Sequence, residues 1–229
     1  MECKHEQYKI YNDNCLNILP TLDAENFIFV SDPPFNIGYH YATYKDNKPE
    51  KDYYEWLAKI FGNHPKVIIH YHESLYKFAF QVGEIPEKIV SWVYNANTPK
   101  QHRGIAFFGV QPDFSKVSQP YKNPKDKRIM KRIAEGKQAR LYDWWQIEQV
   151  KNVSKEKTAH PAQMPLEVMK RIIGILPEDA IILDPFMGSG STGVACMQLG
   201  RKFIGIELYE GYFSIAQSRI EKCLTSQAL

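Results

Sequence analysis

Ile181-Ile182-Leu183-Asp184-Pro185-Phe186-Met187-Gly188-Ser189-Gly190-Ser191-Thr192 is the stretch on which the fold turns. Its first residues are a short run of apolar strand formers. Gly188-Ser189-Gly190 then permits a tight turn that exposes backbone N–H groups at a helix start. That helix is expected from about Thr192 to Leu199, with Gly200 as its stop. A strand that passes through a glycine-rich turn into a helix is the unit of a parallel α/β sheet.

The ligand of such a turn can be narrowed. A Walker loop needs Lys directly before Ser191-Thr192, where Gly190 stands. Gly188, Gly190 and Gly193 do match Gly-x-Gly-x-x-Gly, so spacing alone leaves a dinucleotide open. Asp184 argues against pyrophosphate, which its carboxylate would repel, and suits an ammonium or a sulfonium. Glu207 ends the next strand, Phe203 to Glu207, roughly 20 residues on, where a ribose-binding acid sits in such folds. Together these favour an adenosyl ligand with a cationic, amino-acid-like tail, S-adenosylmethionine. A purely structural turn is the alternative.

Outward from this stretch the same grammar repeats. Phe27 to Val30 is an apolar run halted by Asp32-Pro33-Pro34, and Val67-Ile68-Ile69 is another. Ile89 to Val93 and the weaker Ala106 to Val110 complete the strand candidates before the middle of the chain. Tyr53 to Phe61, Leu75 to Phe80, Pro165 to about Ile175 and Tyr212 to Cys223 have helical spacing. Strands alternating with helices predict a mostly parallel sheet covered on both faces. At 229 residues with 44% hydrophobic content, one domain, 1–229, is expected.

Ser31-Asp32-Pro33-Pro34-Phe35 sits at the tip of the Phe27 strand. Alone, Asp-Pro-Pro is equally a rigid turn. It also suits a specific chemistry. An exocyclic amine on a base is a poor nucleophile because its lone pair is delocalised into the ring. A carboxylate and a backbone carbonyl accepting its two N–H bonds would free that lone pair, prolines would stiffen the loop, and Phe35 would offer a flat face to an extruded base.

Charge is concentrated rather than abundant. The net charge is only +3, yet residues 115–140 hold Lys116, Lys122, Lys125, Lys127, Arg128, Lys131, Arg132, Lys137 and Arg140 against Asp126 and Glu135. Residues 111–158 are read as a basic insertion lying off the main sheet, able to neutralise phosphates or simply to be a solvated loop. Trp144 and Trp145 would anchor it to the core or stack on bases. Arg103 could also reach nucleic acid. His70 and His72 are read as structural or solvent-facing, and no metal site is expected.

The four scattered cysteines, the polar N-terminus and the absence of a long apolar run suggest a reduced, soluble, cytoplasmic protein without membrane contact.

These motifs resemble those of the DNA amino-methyltransferases, which use S-adenosylmethionine to modify adenine N6 or cytosine N4. Asp32-Pro33-Pro34-Phe35-Asn36 is similar to their catalytic motif, and Asp184 to Thr192 to their cofactor motif; catalytic first and cofactor last is the order of the beta class. Tyr11-Asn12-Asp13-Asn14-Cys15-Leu16, His160-Pro161-Ala162-Gln163-Met164-Pro165 and Ile204-Gly205-Ile206-Glu207 resemble further family segments. The likeness runs from about Tyr8 to Cys223 and leaves the basic middle unmatched.

The resemblance implies a Rossmann-like fold with a mostly parallel seven-stranded sheet in permuted motif order. It implies that Asp32, Pro33, Pro34 and Phe35 hold the target base. It puts Asp13, His160, Asp184, Phe186, Gly188, Ser189, Gly190, Ser191 and Glu207 around S-adenosylmethionine. Asp at the first motif position is typical of the adenine enzymes, so N6 methylation of a flipped-out DNA adenine is implied, with cytosine N4 or an RNA adenine as alternatives and a catalytically silent nucleic-acid-binding subunit as another. DNA contact is expected from Arg103, Lys116, Lys122, Lys125, Lys127, Arg128, Lys131 and Arg132. A homodimer, and a cognate restriction endonuclease acting separately, are the partners the class suggests.

Overall fold

The computed structural model describes residues 2–22 and 26–227. In chain order the elements are β1 (Glu2–Lys4), β2 (Tyr8–Asn12), α1 (Cys15–Ile18), β3 (Phe27–Ser31), α2 (Glu50–Phe61), β4 (Lys66–His70) and α3 (His72–Val82). Then come β5 (Lys88–Val93), β6 (His102–Phe108), β7 (Ser118–Gln119), α4 (Lys127–Ala134), β8 (Ala139–Arg140) and β9 (Trp144–Gln146). The chain closes with α5 (Leu166–Gly174), β10 (Ile181–Asp184), α6 (Ser191–Gln198), β11 (Phe203–Glu207) and α7 (Glu210–Gln227).

One sheet runs β1-β2-β11-β10-β3-β4-β6-β5-β9. Its centre, from β2 to β5, is the seven-stranded sheet expected from sequence. The strands from β2 to β4 are mutually parallel, and β6 enters antiparallel to both β4 and β5. β1 and β9 extend the two edges. Apolar side chains alternate between the faces as strand geometry requires. Ile28, Val30, Val67 and Ile69 pack with α5, α6 and α7, while Phe29 and Ile68 pack with α2 and α3. Burying a side chain as large as Phe29 or Phe61 contributes about 2–3 kcal/mol.

This topology positions the site. β10 leads through α6 on one face to β11 on one side, whereas β3 leads through α2 on the other face to β4 on the opposite side. The carboxyl ends of the adjacent β10 and β3 therefore form a switch point, where open α/β sheets leave a crevice for ligands.

Residues 111–158 leave and rejoin the sheet. β7 and β8 form a separate antiparallel pair with the exposed α4 between them. The chain returns through β9, parallel to β5, where Trp145 is buried and its indole N–H donates to the Tyr142 carbonyl. Trp145 is thus an anchor, while Trp144 stays exposed with the Lys122 ammonium 3.6 Å above its ring.

Candidate active site

β10 delivers Asp184 to the crevice as a buried carboxylate. Oδ1 accepts from the Phe186 amide at 3.1 Å and faces the Ser31 hydroxyl at 3.4 Å, and Oδ2 accepts from the Thr192 hydroxyl at 2.5 Å. Asp184 therefore ties together the tip of β3, the glycine-rich turn and the start of α6. Burial pushes its pKa up to about 7, against these hydrogen bonds and with help from the charges of Asp32 and Glu207.

The turn itself is tight because two residues cannot carry a side chain. Gly188 and Gly190 have φ of +52° and +77°. A Cβ at Gly188 would lie 2.9 Å from His160 Nε2, and one at Gly190 would lie 2.8 Å from the Ala216 Cβ of α7. The Gly188 amide donates to Glu207 Oε2 at 3.0 Å, and Oε1 of the same residue accepts from the Tyr209 amide at 2.8 Å. Burial raises the Glu207 pKa. Arg219 of α7 clasps the turn from behind, donating to the Ser189 carbonyl at 2.6 Å and to its hydroxyl at 3.1 Å.

His160 is buried against Tyr212, with ring centroids 4.3 Å apart. Its Nδ1 has no hydrogen-bond partner among the described residues. Burial, then the charges of Lys157 and Arg219, lower its pKa to about 4, so the ring is neutral at physiological pH. Asp13, just beyond β2, is exposed and accepts from the Asn14 amide and the Asn17 side chain, which hold its pKa below the usual range.

β3 delivers the second motif beside the first. The Asp32 side chain is 16% exposed and its Oδ1 lies 3.6 Å from the Arg103 guanidinium. Burial raises its pKa to about 6, and the Arg103 charge works against that rise. The Tyr53 hydroxyl donates to the Pro34 carbonyl at 2.6 Å and lies 2.9 Å from His70 Nε2, while His70 Nδ1 accepts from the Tyr71 amide. Phe35 stacks on His70 with centroids 4.1 Å apart. Asn36 then adopts a left-handed turn (φ +56°), which Asn tolerates. The buried Asp46 carboxylate accepts the amides of Asn36, Ile37 and Tyr39, folding the segment that follows over the crevice.

These pieces enclose one cavity of about 400 Å³. Asp32 and Pro34 line it, as do Asp13, His160, Asp184, Phe186, Gly188, Ser189, Ser191 and Glu207. Gly190 stands outside the lining as the N-cap of α6, and Pro33 and Phe35 lie outside it too. Tyr41, Tyr44, Lys48 and Trp56 also stand among its walls, none of them singled out from sequence.

The cations divide into two groups. Lys116, Lys122, Lys125, Lys127, Arg128, Lys131 and Arg132 lie on the exposed surface of the insertion. Some have partners there: Lys116 pairs with Glu178 at 3.3 Å, and Arg128 with Asp126 at 3.5 Å. Arg103 lies apart from them, half-buried beside Asp32. Tyr53, His70, Arg103 and Arg219 all act across long stretches of chain, and local sequence carries no signal for those contacts.

A family model described as DNA methylase matches residues 27–218. The chain is 41% identical over 255 residues to the Type II methyltransferase M.ScaI of Streptomyces caespitosus, covering 93% of this chain and 81% of that one. It is 26% identical to the DNA adenine methyltransferase YhdJ of Escherichia coli (strain K12), covering 95% and 84%. Among solved structures it is similar to the M1.HpyAVI–SAM complex (TM-score 0.60, 24% identity, 93% of this chain and 99% of that one). It is also similar to the cytosine-N4-specific PvuII DNA methyltransferase (TM-score 0.68, 18% identity, 96% and 91%). At these identities the two structures attest the fold.

Proposed function

The chain belongs to the DNA methylase family, and from that premise we propose that it transfers a methyl group from S-adenosylmethionine to N6 of an adenine flipped out of DNA. One observation carries this reading. Asp32 and the turn residues Gly188, Ser189 and Ser191, some 150 residues apart in sequence, line a single cavity at the switch point of the sheet.

The residues present fit the methyl donor. His160 Nδ1 is a buried polar atom with no partner among the described residues, and Gly188 leaves the space that a Cβ would take from the His160 ring. Glu207 retains acceptor capacity beyond its two amide partners, since a carboxylate offers about four lone-pair sites. We assign donor binding to Asp13, His160, Phe186, Gly188, Ser189, Ser191 and Glu207. Asp184 and Gly190 serve it indirectly, as braces of the turn. When bound, S-adenosylmethionine supplies a methyl group on a cationic sulfur, already activated for displacement.

The protein's own task is to present the amine. Asp32 accepts one N6–H and the Pro33 carbonyl the other, which draws the nitrogen lone pair out of the ring. The Pro34 carbonyl is engaged by Tyr53, which supports giving this role to Pro33. Asp32, with its raised pKa, is also a better acceptor for the departing proton than an exposed aspartate. Such catalysis rests on positioning and electrostatics.

The wider assignments belong to the same proposal. Residues 111–158, with cations exposed along α4 and its flanks, act as the target-recognition region of the single domain 1–229. A homodimer draws support from the exposed Tyr76, Phe80 and Ile85 on and just after α3, and sedimentation tests it. A separately acting restriction endonuclease fits a Type II relative. No helix among the described residues is long and apolar enough to cross a membrane.

The test is incubation with unmethylated DNA and S-adenosylmethionine, followed by digestion and mass spectrometry of the nucleosides. N6-methyladenine is the expected product. N4-methylcytosine would overturn the base assignment alone, and methylation of RNA but not DNA would overturn the substrate. No product on either would leave a nucleic-acid-binding subunit.

A further inference from the structure

Phe35 is covered on both faces. His70 lies nearly parallel to it, with centroids 4.1 Å apart and planes at 17°. The Arg103 guanidinium carbon, 4.6 Å from the same ring centroid, therefore has room only on the opposite face. His70 is buried and engaged at both ring nitrogens. A base that stacks on Phe35 must therefore come to the Arg103 side.

Arg103 is held by three aromatic rings and a hydrogen bond with Tyr94 rather than by a close ion pair with Asp32. It projects from the second residue of β6, opposite Trp92 of β5. The rings of Trp92 and Tyr94 lie 5.2 and 5.9 Å from its guanidinium, and Nη1 makes a weak contact with Met164 Sδ at 3.8 Å. Nη1 is 3.6 Å from Asp32 Oδ1, beyond hydrogen-bond range. Asp32 Oδ1 and Arg103 Nε are both buried without a hydrogen-bond partner among the described residues. Buried polar atoms are nearly always paired, so two orphans side by side point to a missing group.

We propose that Arg103 keeps the seat of the target base in the free protein, lying on Phe35 with its N–H groups toward Asp32, and that the incoming base displaces it. This rests on the methyltransferase reading above. A guanidinium and an aminated base share what the seat recognises: a flat face for the ring and in-plane N–H donors for the carboxylate. The base improves on the occupant because its amine reaches the Asp32 oxygen that the guanidinium leaves unpaired.

The pH dependence of turnover separates this from other roles. Asp32 is faced by Arg103 from β6, Asp184 from β10, Tyr41 from the covering segment, Tyr53 from α2 and Tyr94 from β5. Arg103 is the cation among these groups. Asp184 titrates in a neighbouring window, so the comparison between variants carries the result, not the wild-type profile alone.

The experiment is steady-state methylation of unmethylated genomic DNA at saturating S-adenosylmethionine, from about pH 5 to 9, for wild type, Arg103→Met and Arg103→Lys. The acid limb of kcat/KM reports the free protein, and that of kcat the loaded complex. Arg103→Met is expected to move the acid limb of kcat/KM up by about one pH unit, as loss of an adjacent cation does. It should leave the acid limb of kcat in place, because there the guanidinium has already left Asp32. Arg103→Lys keeps the charge and the wild-type kcat/KM midpoint. A shift of both limbs would mean that Arg103 stays beside Asp32 throughout, and would overturn displacement. No shift in either would make Arg103 structural, with the same consequence. Arg103→Gln takes the place of Arg103→Met if thermal melts show that the latter does not fold. A wild-type protein that methylates no DNA would instead sink the underlying reading, an outcome distinct from these.

Discussion

The Tyr53 hydroxyl donates a 2.6 Å hydrogen bond to the Pro34 carbonyl, and that single contact fixes where the protons sit on two side chains, Tyr53 and His70. A tyrosine has one hydroxyl proton. With that proton on Pro34, the oxygen can only accept from His70 Nε2, 2.9 Å away. His70 must then carry its hydrogen on Nε2, leaving Nδ1 to accept from the Tyr71 amide at 2.8 Å, as it does. Burial lowers the His70 pKa to about 3, so this neutral tautomer persists throughout the physiological range.

Tyr53→Phe should therefore loosen the catalytic loop without touching the ligand cavity's charges. It leaves the Pro34 carbonyl and His70 Nε2 unpaired, at a stability cost of about 1–3 kcal/mol. A loop displaced by a fraction of an ångström costs on the order of 10- to 100-fold in kcat. The affinity for S-adenosylmethionine, measured by calorimetry, should stay within about twofold because the donor-binding turn is untouched. An unchanged kcat would remove Tyr53 from the positioning role.

Asp32→Ala removes the acceptor for the amine. The expected loss in kcat is at least about 100- to 1,000-fold, the scale of a deleted electrostatic contact to a reacting group. Donor binding should survive, since Asp32 makes no hydrogen bond to the glycine-rich turn. Near-normal turnover in this variant would refute the assignment of Asp32 to the amine.

How much of this was legible in sequence follows the range of the interactions. β3 and β10 could be read because each is an apolar run cut off by a local breaker, and their neighbouring tips follow from the sheet order that the resemblance implies. β2 was not read as a strand: Tyr8 and Ile10 alternate with Lys9, and the stretch is only five residues long. β9 was hidden because Trp144 and Trp145 look alike in sequence, while pleating sends one into the core and the other to solvent. His70 was open between a structural and a solvent-facing role, and its partners 17 and 35 residues upstream make it structural. Arg103 drew attention only as a cation. Its place beside Asp32 depends on pairing with Trp92 and on the β4–β6 register, neither of which is written locally.

Asp184→Asn tests the electrostatic state of the brace. In the folded chain the Asp184 pKa is raised to about 7, well above its usual 3.8, because burial disfavours the charged form. A carboxyl with a raised folded pKa contributes its stability fully below the unfolded value. That contribution is lost as pH rises through the folded value. The wild type should therefore lose stability, relative to Asp184→Asn, between about pH 4 and pH 7 and level off above. Thermal melts without ligand should show the variant's Tm gaining roughly 10 °C on the wild type across that window, equivalent to about 4 kcal/mol for a chain of this size. A constant gap would mean that Asp184 does not titrate there.

Lys127→Gln combined with Lys131→Gln tests where DNA is held. Both lysines lie on the exposed α4, whose N-terminus is capped by Asp126 accepting from the Arg128 and Ile129 amides, so the helix survives the change. Glutamine keeps the helix propensity and removes only charge. If both lysines meet phosphates, the slope of log K against log salt should become shallower by about two, with affinity falling alike on every duplex. Donor affinity should be unaffected, because neither residue lines the cavity. A weakened affinity with the slope unchanged would point to a damaged insertion rather than lost phosphate contacts, and an unchanged affinity would take α4 off the DNA. The choice between these outcomes rests on the slope because counterion release counts phosphates directly, whereas affinity at one salt concentration mixes charge with fit.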